Sequence, residues 1–464
     1  MLRGIAASVI VIAAFSISAD RVAHGTFAMG DFKAFYCAGR ALAHHENPYA
    51  TAPIAGCESV AAPAPLFVTK AGEVLPAPLP GYAIVPFIPL SLLPFAISSV
   101  LWLAVLVAVT IAAIALFARV GVADAPTIAV ALAVILAAIC FPVGELPPVA
   151  LFGIALAAFG GQSNRPWAIA TGIALTFAEP QIGVAMLVVA MALGRRTAIP
   201  ALGATIALGL LSIAAVGIAG NLEYLRVVLP AHLLSELPSV LQYSLSWMLY
   251  QLGVAPGPAL LAGRLSWIVM LGVAFWFGRS KFAAAHPEAA MLAAPVFAIV
   301  GGPFLHLDHI ALAIPATLWL ASRSTAPLWL RTAIPIALSI PVLYIFSIIQ
   351  LSPLVPFIAA WIGTACARDT IVGLRTALVT IVVMAVIAAS TIATGTGAVH
   401  LAPVAPISAN LPQAAWAQYV DKTFVMTAWT IWLVKAPIWL AILGAVGTLA
   451  SMLHVVRLRE TAMA

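Results

Sequence analysis

The sequence predicts an all-α polytopic membrane protein, a bundle of about 12–14 transmembrane or half-spanning helices. Of its 464 residues, 64% are hydrophobic and only 8% are charged, whereas soluble proteins carry about 25% charged residues. Apolar runs of about 17–25 residues recur from end to end, each long enough to cross a hydrocarbon core of about 30 Å. The runs are continuous, whereas strands of a transmembrane barrel alternate in segments of about ten residues. We expect residues 1–464 to form a single membrane-embedded domain.

The positions of arginine and lysine predict the topology. Several loops between apolar runs contain arginine or lysine, and placing these loops in the cytoplasm predicts about fourteen crossings with both termini inside. The expected inner loops contain Arg119, Arg165, Arg195, Arg279, Arg323, Arg368 and Arg457. Most acidic residues then fall on the outer side of the plasma membrane, among them Asp31, Glu145, Glu179, Glu223, Glu236 and Asp308.

The first apolar run, Met1–Ala19, is open to two interpretations. Arg3 precedes an apolar core and Ser18-Ala19 resembles a cleavage site, which is the pattern of a signal peptide. We favour an uncleaved span, and in both cases Asp20 emerges on the outer side.

Composition also argues against nucleic acid as a partner. The net charge is +6, but basic residues form no long cluster or face of the kind that nucleic acid requires. The 34 prolines are numerous at the ends of apolar runs. They indicate broken helices around a cavity, because freed backbone groups must be satisfied inside protein.

Two apolar segments are too short to span a bilayer. Trp167–Ala178 and Gln181–Gly194 flank Glu179-Pro180, and each covers roughly half of the hydrocarbon thickness at 1.5 Å per residue. We favour a pair of short helices that turn at Glu179 inside a cavity open to the outside. One tilted helix kinked at Pro180 is the alternative.

The first outer loop, residues 20–80, contains a predicted interfacial helix. Phe32, Phe35, Tyr36, Gly39 and Leu42 recur at helical spacing and form one apolar stripe. Asp31 precedes this stripe at the predicted N-cap, where a carboxylate accepts the free amides of the first turn. From spacing alone Asp31 is either a cap or a catalytic group.

The four cysteines have different environments. Cys37 and Cys57 share the first outer loop, where they either form a disulfide or remain free thiols. Cys140 and Cys366 fall in or near apolar runs and are expected to be packing residues. No cysteine or histidine pair has structural-zinc spacing, so no metal site and no cofactor is expected. A requirement for a divalent ion stays open.

Polar residues next to predicted spans are candidates for substrate binding, because ionisable groups in a membrane usually face a cavity. Each has a simple structural alternative, namely packing, ion pairing or a solvated loop position. The candidates are Lys33, Arg40, Glu179, Gln242, His306, Asp308 and His309.

The segment Gly30–Tyr49 resembles glycosyltransferase family 87. Its residues follow a pattern close to GDF-x-x-F/Y-x-A-G-x-A-L-x-x-G-x-N-P-Y. Pro86–Trp102, Gln242–Trp247 and Pro303–His309 resemble further segments of the family. Ala178–Gln181 lies where members usually have a Lys-Pro-Gln turn, so Glu179 replaces the usual lysine.

The resemblance implies a GT-C architecture and an inverting transfer of a sugar, with mannose as the expected one. The implied donor is a polyprenyl-phosphate sugar, and the implied acceptor is a glycolipid or another glycan. Asp31 is then the catalytic base, and the polar candidates above bind the donor phosphate or sugar. The active site is expected on the periplasmic or extracellular side, among membrane lipids.

Two other functions stay open. A lipid transporter or flippase would also use broken helices, although no pair of matching halves is visible. A non-catalytic membrane partner could retain the fold, and the charge reversal at Glu179 favours that reading. The intact motif around Asp31 argues against it.

Overall fold

The computed structural model describes residues 2–23, 29–61, 74–324, 326–342, 349–367, 369–394, 404, 406–423 and 430–463. These residues form an all-α bundle without any strand, apart from one isolated bridge between Gln242 and His306. The α-helices are Leu2–Ala23, Gly30–Ala43, Thr51–Ala61, Gly81–Ile84, Phe87–Ser91, Phe95–Arg119, Ala125–Ile135, Phe141–Val143, Pro147–Ser163, Pro166–Thr176, Pro180–Ala192, Arg195–Glu223, Leu229–Glu236, Leu245–Gln251, Pro256–Gly278, Lys281–Ala285, Pro287–Gly301, Ile314–Arg323, Leu328–Ser339, Val355–Cys366, Thr370–Thr394, Pro412–Thr423 and Thr430–Met463. Short π-helical turns cover Leu136–Cys140 and Tyr224–Val228, and 3₁₀ turns cover Leu307–Ala313 and Ile349–Leu354.

Six helical segments in the described part of the chain are long and apolar enough to cross a membrane. They are Phe95–Arg119, Ala125–Val143, Arg195–Glu236, Pro256–Gly278, Thr370–Ile387 and Ile431–Leu453. Seven shorter apolar helices accompany them: Arg3–Ile17, Pro147–Ser163, Pro166–Thr176, Pro180–Ala192, Pro287–Gly301, Leu328–Ser339 and Gln350–Cys366. The predicted all-α polytopic fold is confirmed.

The short helices around Glu179 are separate, as the favoured interpretation predicted. Pro166–Thr176 and Pro180–Ala192 are divided by Phe177–Glu179, and Glu179 has an extended backbone conformation. A Cβ on Gly183 would lie 2.9 Å from Cα of Phe177. An approach that close between positions six residues apart requires the chain to fold back, so the segment is a hairpin and not one kinked helix.

Loops that the charge pattern assigned to one membrane face lie together. At one end of the bundle, Asn47 donates to the Glu223 carboxylate (3.1 Å), and this end also holds Asp31. At the opposite end, Arg3 pairs with Asp124 (3.1 Å) and Arg323 donates to the carbonyl of Gly121. We refer to the first group as the Asp31 end of the bundle.

The helix Gly30–Ala43 is built into the bundle by its aromatic residues. Phe32 is fully buried and lies against Phe87, Phe95 and Trp102 with ring centroids about 6 Å apart. Gly39 allows the helix to cross closely, since a Cβ there would lie 2.6 Å from the backbone carbon of Phe87. Tight packing of this kind holds Asp31 at a defined place.

A disulfide joins Cys37 to Cys57 and ties this helix to Thr51–Ala61. Cys140 and Cys366 are free thiols. The bond lies on the flank of the helix, one turn and a half beyond Asp31.

Candidate active site

Asp31 lies in the first turn of its helix and does not cap it. The N-cap residue is Met29, which has a left-handed backbone (φ 56°) and makes no side-chain capping hydrogen bond. The prediction that Asp31 caps the helix is therefore wrong. Because the helix begins two residues earlier than the apolar stripe suggests, the Asp31 carboxylate does not cap the backbone and can act elsewhere.

The turn at Gly144-Glu145 brings a second carboxyl group to Asp31. Gly144 has a φ of 81°, a conformation that favours glycine. A Cβ on Gly144 would lie 2.6 Å from Cβ of Phe32, so only glycine fits this approach. Trp102 Nε1 donates to the Gly144 carbonyl (2.9 Å) and fixes the turn.

Asp31 and Glu145 are joined by a side-chain hydrogen bond. A bond between two carboxyl groups needs one proton, because an ionised carboxylate only accepts. Desolvation raises the pKa of Asp31 to about 6 against the opposing effect of this bond. Desolvation also raises the pKa of Glu145 well above its ordinary value, with Asp31 adding to the rise. Burial and the nearby carboxylates thus favour the shared proton on Glu145, which leaves Asp31 as the accepting carboxylate.

Two histidines at the start of the 3₁₀ turn Leu307–Ala313 face this pair. His306 Nε2 lies 3.0 Å from Oε2 of Glu236, and His309 Nε2 lies 2.9 Å from Oε2 of Glu179. The two residues also cap one another, because the backbone N–H of each contacts the side chain of the other. Each imidazole is thus held at both nitrogens.

The pairing with carboxylates controls the charge of His309. Burial lowers its pKa, but Asp308 and Glu179 outweigh that effect and raise the pKa to about 9. When the ring carries both protons, Nδ1 is a donor and no longer accepts from the backbone N–H of His306. Oδ1 of Asp308 lies 3.6 Å from Nδ1. That oxygen is buried without a hydrogen-bond partner among the described residues.

The cluster has an accessible front and a buried back. Asp31, Glu145 and His306 are partly exposed. Behind them lie four groups that are at least nine-tenths buried: Glu179, Glu236, Asp308 and His309. This arrangement suits a reaction at the front whose groups are oriented from behind.

Gln242 adjoins the cluster. Its side-chain oxygen accepts from the backbone N–H of Leu305 (3.1 Å), and its backbone forms the isolated bridge with His306. Gln181 lies on the other flank, with its amide nitrogen 2.9 Å from His309 Nε2 and 3.2 Å from Glu179.

Lys33 and Arg40 lie away from the cluster. Lys33 is buried and acts electrostatically on Glu58 of the neighbouring helix. Arg40 is exposed and lines a surface groove of about 380 Å³ beside the disulfide, with His44 and Glu46. The structure therefore brings together Asp31, Glu179, Gln242, His306, Asp308 and His309, but not these two cations.

Two members of the cluster were expected only to lie on the outer side. Glu145 and Glu236 contact Asp31 and His306, respectively. The indole N–H of Trp416 also donates to Glu236. In the sequence Glu236 is one carboxylate within an apolar stretch, and the only signal available was the cost of burying it.

No three His, Cys, Asp or Glu side chains are grouped so as to hold a metal ion within the described ranges.

Residues 80–305 match the model of glycosyltransferase family 87. The matched region includes Glu145, Glu179, Glu236 and Gln242, whereas Asp31 precedes it and His306 follows it directly. Comparison with curated proteins and with solved structures produced no match.

Proposed function

We propose that this membrane-embedded chain, whose residues 80–305 match the model of glycosyltransferase family 87, transfers mannose from a polyprenyl-phosphate donor to a glycolipid or other glycan acceptor. The reaction takes place at the Asp31 end, on the outer face of the plasma membrane. The observation that carries the proposal is the hydrogen bond between Asp31 and Glu145 at the accessible front of the histidine–carboxylate cluster.

In the proposed step, an acceptor hydroxyl oxygen attacks the anomeric carbon of the donor sugar. Asp31 takes the hydroxyl proton, the bond from the anomeric carbon to the phosphate oxygen breaks, and the lipid phosphate leaves with the electron pair. Attack from the opposite face inverts the anomeric configuration. A base with a pKa of about 6 is mostly ionised at pH 7 and still accepts a proton as the hydroxyl reacts.

His306 and His309 serve the departing phosphate in this proposal. His306 is the more exposed of the two and supplies positive charge near the phosphate oxygens. Burial acts to lower the pKa of its imidazole, but the contact with Glu236 raises that pKa above its ordinary value. His309 is buried and supplies positive charge from behind. Positive charge that is already in place where negative charge develops lowers the activation barrier, because no group has to reorganise during the reaction.

The test is sugar transfer by the purified chain in lipid, with radiolabelled polyprenyl-phosphate mannose and a membrane-lipid extract as acceptor source. Asp31→Asn keeps the shape and removes the base, so transfer is expected to fall by about 10²- to 10⁴-fold, the range for loss of a general base. Arg40→Gln is the matched control on the same helix, because Arg40 is exposed and remote from the cluster.

Full transfer by Asp31→Asn would remove Asp31 from the mechanism. Donor-independent lipid movement without transfer would identify a flippase instead, and binding of donor without either activity would identify a non-catalytic partner.

A further inference from the structure

Lys435 is a buried lysine in the second turn of the last helix, Thr430–Met463. Its side chain is fully buried, and no carboxylate of the described residues forms an ion pair with it. Its ammonium donates to the backbone carbonyl of Gln242, which satisfies one of three protons. A buried ammonium with so little compensation is costly unless an anion or other groups stabilise it.

Two aromatic rings contact the side-chain nitrogen of Lys435. Nζ lies 3.3 Å from the ring centroid of Trp247 and 4.6 Å from that of Tyr243. Trp432 and Trp439 complete the group, with centroids 5.8 Å and 6.1 Å from that of Trp247. We call these five residues the Lys435 box. Ring faces stabilise a cation and leave its protons available to an anion.

Hydrogen-bond donors without partners lie in and beside the Lys435 box. Within the described part of the chain, the side-chain nitrogens of Gln242 and Trp247 and the hydroxyl of Tyr243 are buried and make no hydrogen bond. Unpartnered buried groups are rare, and each calls for an explanation. The Trp247 nitrogen belongs to the ring that Lys435 contacts, and the Gln242 nitrogen belongs to the residue whose carbonyl accepts from Lys435. Nitrogen donors and a lysine, with no carboxylate in the box, match the needs of a phosphate group.

The Lys435 box adjoins the proposed active site through the backbone at 242–243. Gln242 accepts from Lys435 on one side and bridges to His306 on the other. Tyr243 is held in the same way, since its N–H donates to Leu305 (2.7 Å) and its carbonyl accepts from Trp439 (3.1 Å).

We propose that Lys435, with the side-chain amide of Gln242 and the indole of Trp247, binds the phosphate of a lipid-linked substrate. The proposal rests on the function proposed above and names the cation that faces the leaving group. Lys435 takes the role that the sequence suggested for Lys33 and Arg40, which lie elsewhere.

The test measures binding of citronellyl phosphate and of citronellol, its uncharged alcohol, by calorimetry with the purified full-length chain. Lys435→Met is expected to weaken citronellyl phosphate binding at least about tenfold, as for a lost charge-assisted contact, and to change citronellol binding less than twofold. Lys281→Met, an exposed lysine at the opposite end, is the matched control. Trp247→Phe keeps a ring but removes the donor, and a two- to fivefold loss is expected even if Lys435→Met does not fold.

Citronellyl phosphate bound equally well by wild type and Lys435→Met would overturn the inference, as would wild type that does not distinguish phosphate from alcohol. Displacement by inorganic phosphate at equal concentration would contradict the lipid-linked source. Sugar transfer is scored separately. Phosphate binding through Lys435 without transfer contradicts only the proposed function, whereas transfer that survives in Lys435→Met with unchanged affinity contradicts only this inference.

Discussion

Asp31 and Glu145 share one proton in their hydrogen bond, and the position of that proton determines whether Asp31 can act as the proposed base. The base must be ionised to act, so transfer is expected to rise with pH through the pKa of Asp31, about 6. The other charged groups that act on Asp31 are Asp308 and Glu236, which raise its pKa, and His306, which lowers it. The hydrogen bond from Glu145 keeps that pKa from rising further.

Glu145→Leu is therefore expected to move the acidic limb of the kcat/KM profile upward by about one pH unit. A hydrogen bond to a charged group contributes about 1.5–3 kcal/mol, and one unit corresponds to about 1.4 kcal/mol. Glu145→Gln keeps an N–H donor toward Asp31 and should leave the limb near its original pH. Identical limbs in wild type and Glu145→Leu would show that Glu145 does not position the base.

Residue identity alone was a poor guide to the role of Glu179. The resemblance to family 87 implies a lysine at this position, and replacing a lysine by a glutamate suggests that a phosphate contact has been lost. In the structure Glu179 contacts Nε2 of His309, so it works through an imidazole and raises the pKa of that ring. A pairing between residues 130 positions apart has no local sequence signature.

At the scale of elements, the helix Gly30–Ala43 was predictable because its apolar stripe and its length are local properties. Its N-terminus was not, since the left-handed Met29 replaces a side-chain cap. The hairpin at Glu179 was predictable from length, because helices of 11 and 13 residues cannot cross a bilayer.

The disulfide between Cys37 and Cys57 is expected to stabilise the helix Gly30–Ala43. Closing a loop of this size in the unfolded chain is worth about 3 kcal/mol, so Cys57→Ser should unfold at a lower temperature than wild type. Reductant should bring wild type to the level of Cys57→Ser and leave that variant unchanged. Cys366→Ser, which removes a free thiol, is the control. A melting temperature of wild type that ignores reductant would contradict the expectation.

At the scale of the whole molecule, loops that the charge pattern assigned to the same side of the membrane lie at the same end of the bundle. Single arginines mark one of the two ends. The charge pattern did not predict a role for Lys435. It is a lone lysine near the start of the last span, and its contact with Gln242 joins positions 193 residues apart. Long-range contacts of this kind determine which residues form a site, and they leave no periodic pattern in the sequence.

The predicted orientation is open to direct labelling. In a Cys366→Ser background, Glu46→Cys at the Asp31 end should react with a membrane-impermeant maleimide on intact cells. Ala285→Cys, at the opposite end, should react only after the membrane is opened. Both side chains are exposed, so access depends on the membrane alone. The reverse pattern would place the Asp31 end in the cytoplasm.

The Cys37–Cys57 bond also bears on how the chain is made. Both cysteines lie within the first sixty residues, so they can meet before most of the polypeptide has been synthesised. If the first loop is exported as expected, oxidation can lock the Asp31-bearing helix to its neighbour before Glu145, His306 or Lys435 has been synthesised. The later helices would then assemble around a segment that is already rigid. A cell that oxidises thiols slowly would make less of the correctly folded protein without any change in its sequence.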